Sequence, residues 1–319
     1  MSGLITPFLM QSAVQAITPI LLASLAGVLC GRVGVFNLAL EGLMLVGAFA
    51  AVVGDYYTHG AAGGVAAAML AALAFAAILA YGATVFGGDP VVICIGMNLL
   101  ASGLTAYLLR VMFGVSGTFS DPAVVSLPKI SIPALQGVPV IGWGFGRQTI
   151  ITWAAWALIA VVSVVLFRTP LGLRLRGVGE RPDAAETLGV DVRAYRVGTV
   201  LVSGALVGLA GAQLSLGAVS VFAEDMSAGR GWIAVVAVML GRSNPFYTAG
   251  ACVLFGFADA FGVRLQSQGL PNQLSDVAPY VVTLVALVVS HRKRLRAAMP
   301  STEVVATSRG SAEPRPDAR

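Results

Sequence analysis

Charge is what this sequence has least of. Only 11% of its 319 residues are Asp, Glu, Lys or Arg, whereas a water-soluble domain carries about 25%. So few charges cannot coat a water-facing globule. With 57% hydrophobic residues and a mean hydropathy of +0.86, the surface must face lipid. Lysine is reduced to Lys129, which follows Pro128, and Lys293, which follows Arg292. A Walker-type loop needs glycine before its lysine so that the backbone can wrap phosphate, and neither lysine has it. Histidine is reduced to His59 and His291, which excludes an HExxH zinc helix and any two-histidine metal site. No GxSxG elbow occurs, and a serine triad would have to recruit one of those two histidines. No catalytic residue, metal site or cofactor is therefore expected, and the chain is not expected to hydrolyse nucleotide by itself. The three cysteines, Cys30, Cys94 and Cys252, lie far apart inside apolar runs. They form neither a CxxC pair nor a disulfide framework and read as small buried hydrophobes. No Lys or Arg precedes Arg32, so the basic region of a cleaved signal peptide is missing and residues 7–30 read as a retained first span.

Long apolar runs are what is there. They fall at about 7–30, 36–54, 63–86, 91–113, 148–167, 197–221, 231–264 and 276–290. Most approach the ~20 residues that cross ~30 Å of hydrocarbon at 1.5 Å per residue. The pattern predicts an all-α polytopic bundle of about eight spans (eight to ten). The seventh run is too long for one helix, and Gly241-Arg242-Ser243-Asn244-Pro245 interrupts it, so a broken or re-entrant span is expected near 231–264. Such a break is tolerated only where buried in protein or lining a wet cavity. Glycine is abundant at 38 residues, which suits close helix approach in a bilayer.

Arginine asymmetry orients the bundle. Segment 168–196 holds Arg168, Arg174, Arg176, Arg181, Arg193 and Arg196, and the tail opens with His291, Arg292, Lys293, Arg294 and Arg296. Placing both inside gives an external N-terminus and a cytoplasmic C-terminus. The transmembrane domain then spans 1–295, with a cytoplasmic loop at 168–196, and 296–319 forms a disordered cytoplasmic tail. The net charge of +5 and pI near 9.4 express this bias; without aromatic-interleaved basic patches they do not indicate nucleic-acid binding.

Three features rise above generic membrane composition. The first is Gly31-Arg32-Val33-Gly34-Val35-Phe36-Asn37-Leu38-Ala39-Leu40-Glu41-Gly42. Read as helix, it puts Asn37 and Glu41 on one face at the start of an apolar run. A carboxylate there is expensive: it pairs with Arg32, caps backbone amides near the interface, or touches substrate. The second is Glu180-Arg181-Pro182-Asp183-Ala184-Ala185-Glu186-Thr187-Leu188-Gly189, read as a short helix. Pro182 suits the first turn, Asp183 the N-terminal dipole and Gly189 the stop. It is either an interfacial loop or a docking element for a soluble partner. The third is the broken span itself, whose Gly229-Arg230 opening echoes Gly31-Arg32 and hints at internal duplication.

The stretch GRVGVFNLALEGLMLVGAFAA resembles the signature of ABC-importer permeases of the nucleoside and simple-sugar group. These systems are fed by basic-membrane-protein-type binding lipoproteins, and ribose and branched-chain amino acid permeases share the Gly–Asn core. Glu41 tilts the likeness toward the nucleoside branch. Ile95–Leu100, Thr169–Glu180, Ser203–Ala212 and Gly229–Pro245 match the same pattern, in order, over about residues 5–295. The resemblance implies that 180–189 is the coupling helix, with Glu180, Arg181, Asp183, Glu186, Leu188 and Gly189 meeting the ATPase. It also implies a cytoplasmic ABC ATPase with two nucleotide-binding domains, a second homologous permease chain, an extracytoplasmic substrate-binding (lipo)protein and residence in a bacterial cytoplasmic (inner) membrane. Asp259 departs from the pattern, and pairing with Arg264 is expected there in preference to substrate contact.

Uncharged, hydroxyl-rich solutes are recognised by a few amides, hydroxyls and aromatic faces. Phe36, Asn37, Glu41, Asn98, Gln213 and Trp232 are the candidate substrate-binding residues. A permease for another simple sugar or a flavin-like vitamin is the alternative within the class. A stand-alone ion-coupled secondary transporter is the alternative outside it.

Overall fold

Proline and short polar residues punctuate the chain into helices, and the computed structural model, which describes residues 7–131, 144–217 and 220–266, follows that punctuation. Helix α1 runs Pro7–Arg32, α2 Leu40–Thr58, α3 Ala61–Thr84 and α4 Pro90–Phe113. Helix α5 runs Ile150–Arg168, α6 Pro170–Glu180, α7 Pro182–Thr187 and α8 Val192–Ala212, which continues into a π turn at Gln213–Gly217. Helices α9 (Arg230–Leu240) and α10 (Pro245–Gln266) complete the set. Asp89 caps α4 by accepting from the Val91 and Val92 amides at 2.7 and 3.3 Å, with Pro90 behind it. Thr149, Thr169 and Asp191 cap α5, α6 and α8 in the same way. These are residue types whose side-chain oxygens satisfy the amides that open a helix.

Among the described residues six helices are long and apolar enough to cross a membrane: α1, α2, α3, α4, α5 and α8 with its π turn. Helix α9, at 11 residues, reaches about 16 Å, roughly half of the hydrocarbon thickness. The break expected in the seventh run falls at Gly241–Asn244, where Arg242 and Ser243 both take left-handed backbone angles. The expected span 276–290 and the tail 296–319 lie outside the described residues.

Helix α1 is the hub. It packs against α5, α8, α9 and α10, and its apolar window is 83% buried, against 22% for α4. The outward faces of α3 and α4 carry residues such as Leu70, Val92 and Leu99, as a lipid-facing wall requires. Helices α2, α3 and α8 form the tightest layer. A Cβ on Gly47 would lie 2.7 Å from the Gly208 Cα, and one on Gly208 would lie 2.3 Å from the Ala68 carbonyl oxygen. Backbones this close need glycine, and in lipid such contact is what drives helix association.

Two antiparallel strand pairs lie beyond the helix ends: β1 (Thr118–Phe119) with β4 (Phe222–Ala223), and β2 (Lys129–Ser131) with β3 (Arg147–Thr149). The first ties the connection after α4 to the segment between α8 and α9. Glu224 reinforces it by donating its amide to the Gly117 carbonyl at 2.8 Å and accepting the Gly117 amide at 3.0 Å.

Gly208→Leu is expected to destabilise the bundle by about 3 kcal/mol or more, because a helix backbone cannot yield to a side chain. Gly96→Leu, where a Cβ meets nothing within 4 Å, is expected to be neutral. The yield and monodispersity of detergent-extracted protein checks both; equal yields would refute the packing assignment.

Candidate functional site

After Arg32 the chain turns on Gly34, at φ +78°, and the Val35 amide returns to the Cys30 carbonyl at 3.0 Å. Residues 35–38 are therefore not helical, and they climb back alongside α1. Leu40, where α2 begins, reaches the level of Gly27, about 8 Å above the end of α1 at 1.5 Å per residue. This corrects the expectation that Asn37 and Glu41 share a helical face. Asn37 precedes the helix, and its Oδ1 accepts the Ala39 amide at 2.9 Å. A helix that starts inside an apolar bundle must satisfy its first amides with protein. Asn98 of α4 does the rest, accepting the Gly42 amide at 2.8 Å and donating to the Leu38 carbonyl at 3.0 Å.

Glu41 joins a second buried helix start to the first. Its two carboxylate oxygens accept the Gly229 amide at 2.8 Å and the Gly231 amide at 2.6 Å. Of the three roles open to it from sequence, amide capping is the one it fills. Arg32 instead donates to the Ser243 carbonyl at 2.7 Å and lies over the Phe167 ring. The positive end of the α9 dipole attracts an anion, and Glu41 supplies it. The fit is close: a Cβ on Gly231 would lie 2.4 Å from the Glu41 amide nitrogen, and Gly229 holds φ +81°. Next to it, Arg230 pairs with Asp259 at 3.3 Å, both partly buried. The acid in α10 thus has Arg230 as its partner; the Arg264 side chain lies outside the description. The Gly-Arg echo does not mark equivalent places, since Gly31-Arg32 ends a helix and Gly229-Arg230 begins one.

Phe36 and Asn37 line a small cleft (≈ 100 Å³) together with Val235, Met239, Arg242 and Ser243. Phe36 is 43% exposed and Trp232, on α9, 41% exposed, so two aromatic faces remain available beside the saturated polar groups. Asn37, Glu41 and Asn98 are thus brought together at the start of α2, with Phe36 and Trp232 at its margin. Gln213 is not part of this group. It sits in the π turn, where Thr149 donates to its Oε1 at 2.7 Å, within a buried cluster that includes Thr152 and Thr18. Ser102, which donates to Asp225 at 2.8 Å, and Ser243 belong to the region but carry no sequence signal beyond polarity.

Beside the end of α1, α6 and α7 form an elbow. Pro182 opens α7, Asp183 lies in its first turn, and Gly189 stops it at φ +78°, as the residue types require. Helix α6 was not foreseen. Arg181, Asp183, Glu186 and Gly189 are exposed, and Leu188 is 83% exposed. Glu180, Arg181 and Leu188 line an open groove of ≈ 610 Å³ shared with the start of α8. The elbow is seated on the 33–39 segment: a Cβ on Gly179 would lie 2.2 Å from the Arg32 carbonyl, and Arg196 donates to the Val33 carbonyl at 3.2 Å.

The profile of the branched-chain amino acid transport system / permease component family matches residues 9–287. A guanosine ABC transporter permease protein of Bacillus subtilis is 34% identical over 84% of this chain and 87% of its own length. A nucleoside ABC transporter permease protein of Lactococcus lactis is 35% identical over 85% and 88%. A glucose ABC transporter permease protein of Haloferax volcanii is 26% identical over 87% and 76%. A solved ABC transporter in an inward-facing conformation, described as of metal-chelate type, shares the fold with a TM-score of 0.52 at 16% identity, over 89% of this chain and 85% of that one. The family match spans nearly all the described helices, and with the apolar bundle it settles the class: this chain belongs to the branched-chain amino acid transport system / permease component family, as a multi-pass membrane permease of an ABC transporter.

Proposed function

We propose that this chain carries nucleosides inward as one permease subunit of an ATP-driven importer. The observation that carries the cargo assignment is the likeness, above 30% identity, to permeases named for guanosine and nucleosides. The geometry supports a neutral cargo. The vacant amides of a buried helix start and a nearby arginine would hold a phosphate or carboxylate, but Glu41 and Asp259 already occupy them. What remains beside the cleft are the Phe36 and Trp232 faces, on which a base can stack. In this reading Asn37, Glu41 and Asn98 shape the site by holding the two helix starts, and Gln213 contributes at a distance. A simple-sugar cargo is the second reading, favoured by the glucose permease among the relatives.

The orientation is eight spans with the N-terminus outside and the C-terminus inside, supported by the arginines gathered at the α5–α8 end of the molecule. The coupling element is 180–189, received by a cytoplasmic ATPase with two nucleotide-binding domains. A second permease chain and an extracytoplasmic binding protein complete the transporter. Because Gly179 abuts the Arg32 carbonyl, a push on α7 reaches the 33–39 segment through backbone contact. That segment carries Phe36 and Asn37, and Arg32 continues the path to the break between α9 and α10.

Uptake of labelled guanosine and adenosine tests the cargo directly. It should require this chain and ATP, survive collapse of the proton gradient, and resist competition by a large excess of the 5′-monophosphates. Uptake that follows the gradient would refute the ABC reading, and uptake confined to glucose would move the cargo to sugars. Replacing Phe36 and Trp232 together by alanine should raise KM for nucleosides about tenfold or more, from a stacking contribution of about 1–3 kcal/mol per base; an unchanged KM would remove them from the site. Replacing Glu186 and Leu188 should leave insertion intact and abolish transport-linked ATPase stimulation in the reconstituted complex. Normal stimulation would take 180–189 out of the coupling role.

A further inference from the structure

A second cavity, which shares no lining residue with the α2–α9 cleft, has the shape and charge of a lipid site. Helices α5 and α8 are tied together at one end, where Thr149 donates to Gln213 at 2.7 Å. Toward the other end they part, leaving a groove of ≈ 540 Å³ floored by Leu29 of α1 and closed below by Leu175 of α6. Val161 and Val165 form one wall, Val202 and Leu206 the other. Val161 and Val202 are each about half exposed, so the groove opens sideways, on two helices long enough to span a membrane.

The basic end distinguishes this groove from an ordinary seam between helices. Tyr195 lines it, and Arg174 donates to the Tyr195 hydroxyl at 3.1 Å from an exposed position. Arg168 at the end of α5 and Arg193 in the first turn of α8 are exposed nearby, with Asp191 the acid that caps α8. Neither this groove nor the comparable apolar one between α2, α3 and α4, of ≈ 570 Å³, has an arginine in its lining; among the described residues it is Tyr195 here that brings one, Arg174, to the rim. From Tyr195 to Leu206 the charged-ended groove runs about 16 Å at 1.5 Å per residue, the depth of one leaflet in a ~30 Å hydrocarbon core.

We infer that this groove holds one acyl chain of an anionic glycerophospholipid of the cytoplasmic leaflet, its phosphate held by Arg174 and Tyr195. The inference rests on the orientation proposed above, which puts the arginines inside, and not on the cargo. A basic pocket between transmembrane helices on that side selects anionic headgroups electrostatically, while the apolar walls accept the chain.

The test uses the chain co-expressed with its transporter partners, extracted, delipidated and titrated with phosphatidylglycerol or phosphatidylcholine, with native mass spectrometry as the readout. Phosphatidylglycerol should be retained in preference to phosphatidylcholine. Arg174→Gln should lower its retention about fivefold, and Val202→Trp, which fills the groove from its lipid-facing side, should abolish the preference. A photo-reactive residue at Val202 in intact membranes should give a lipid adduct. Equal retention of the two lipids, or an adduct to another permease chain in place of lipid, would overturn the site and mark the groove as a subunit contact. Because none of these readouts involves transport, their failure is separable from a wrong cargo.

Discussion

Amides at the start of a helix have no partner within it, and inside an apolar bundle water does not supply one. Two of the described helices begin in that situation, and the Glu41 carboxylate, set at the start of one, serves the start of the other. It lies in the first turn of α2 and accepts the opening amides of α9, residues about 190 positions away in sequence. Asn37 and Asn98 complete the α2 start. Removing the carboxylate would strand two donors, each costing about 1–3 kcal/mol when buried. The half-length α9, the turn that follows it and the cleft beside it all depend on this junction.

The same junction explains why a chain with so few charges keeps an acid at this depth. A charge partly withdrawn from water is tolerated when paired or hydrogen-bonded, and the two half-buried acids beside the α9 start meet that condition. Glu41 has two amides and Asp259 has Arg230. In the proposed site this leaves aromatic faces and little net charge, unlike a site built to seize a carboxylate or phosphate.

Rigidity links the α6–α7 elbow to the bundle. Glycine allows α2, α3 and α8 to touch backbone to backbone, and Gly179 brings α6 against the end of α1. Close-packed contacts of this kind transmit displacement because they leave no room to absorb it. The α5–α8 side is different: there the helices separate and leave apolar walls with arginines at one end. One flank of α1 is therefore closely packed and the other open, as the proposed coupling path and lipid groove each require.

Much of this was legible in the sequence because it depends on local chemistry. Apolar runs of about 20 residues become spans whatever their neighbours, and Pro90, Pro170, Pro182 and Pro245 all open helices because the missing amide costs nothing there. The break at Gly241–Asn244 and the stop at Gly189 follow from residues that accept or force a turn. The sequence also announced that Glu41 and Asp259 needed partners, since no carboxylate sits unaccompanied in an apolar run. It could not say which. That Glu41 would cap α9, that Asp259 would take Arg230, and that residues 35–38 would stay out of the helix were decided by tertiary structure alone, because a polar group withdrawn from water is satisfied by whatever the folded bundle brings within hydrogen-bonding reach and not by what stands next to it in the chain.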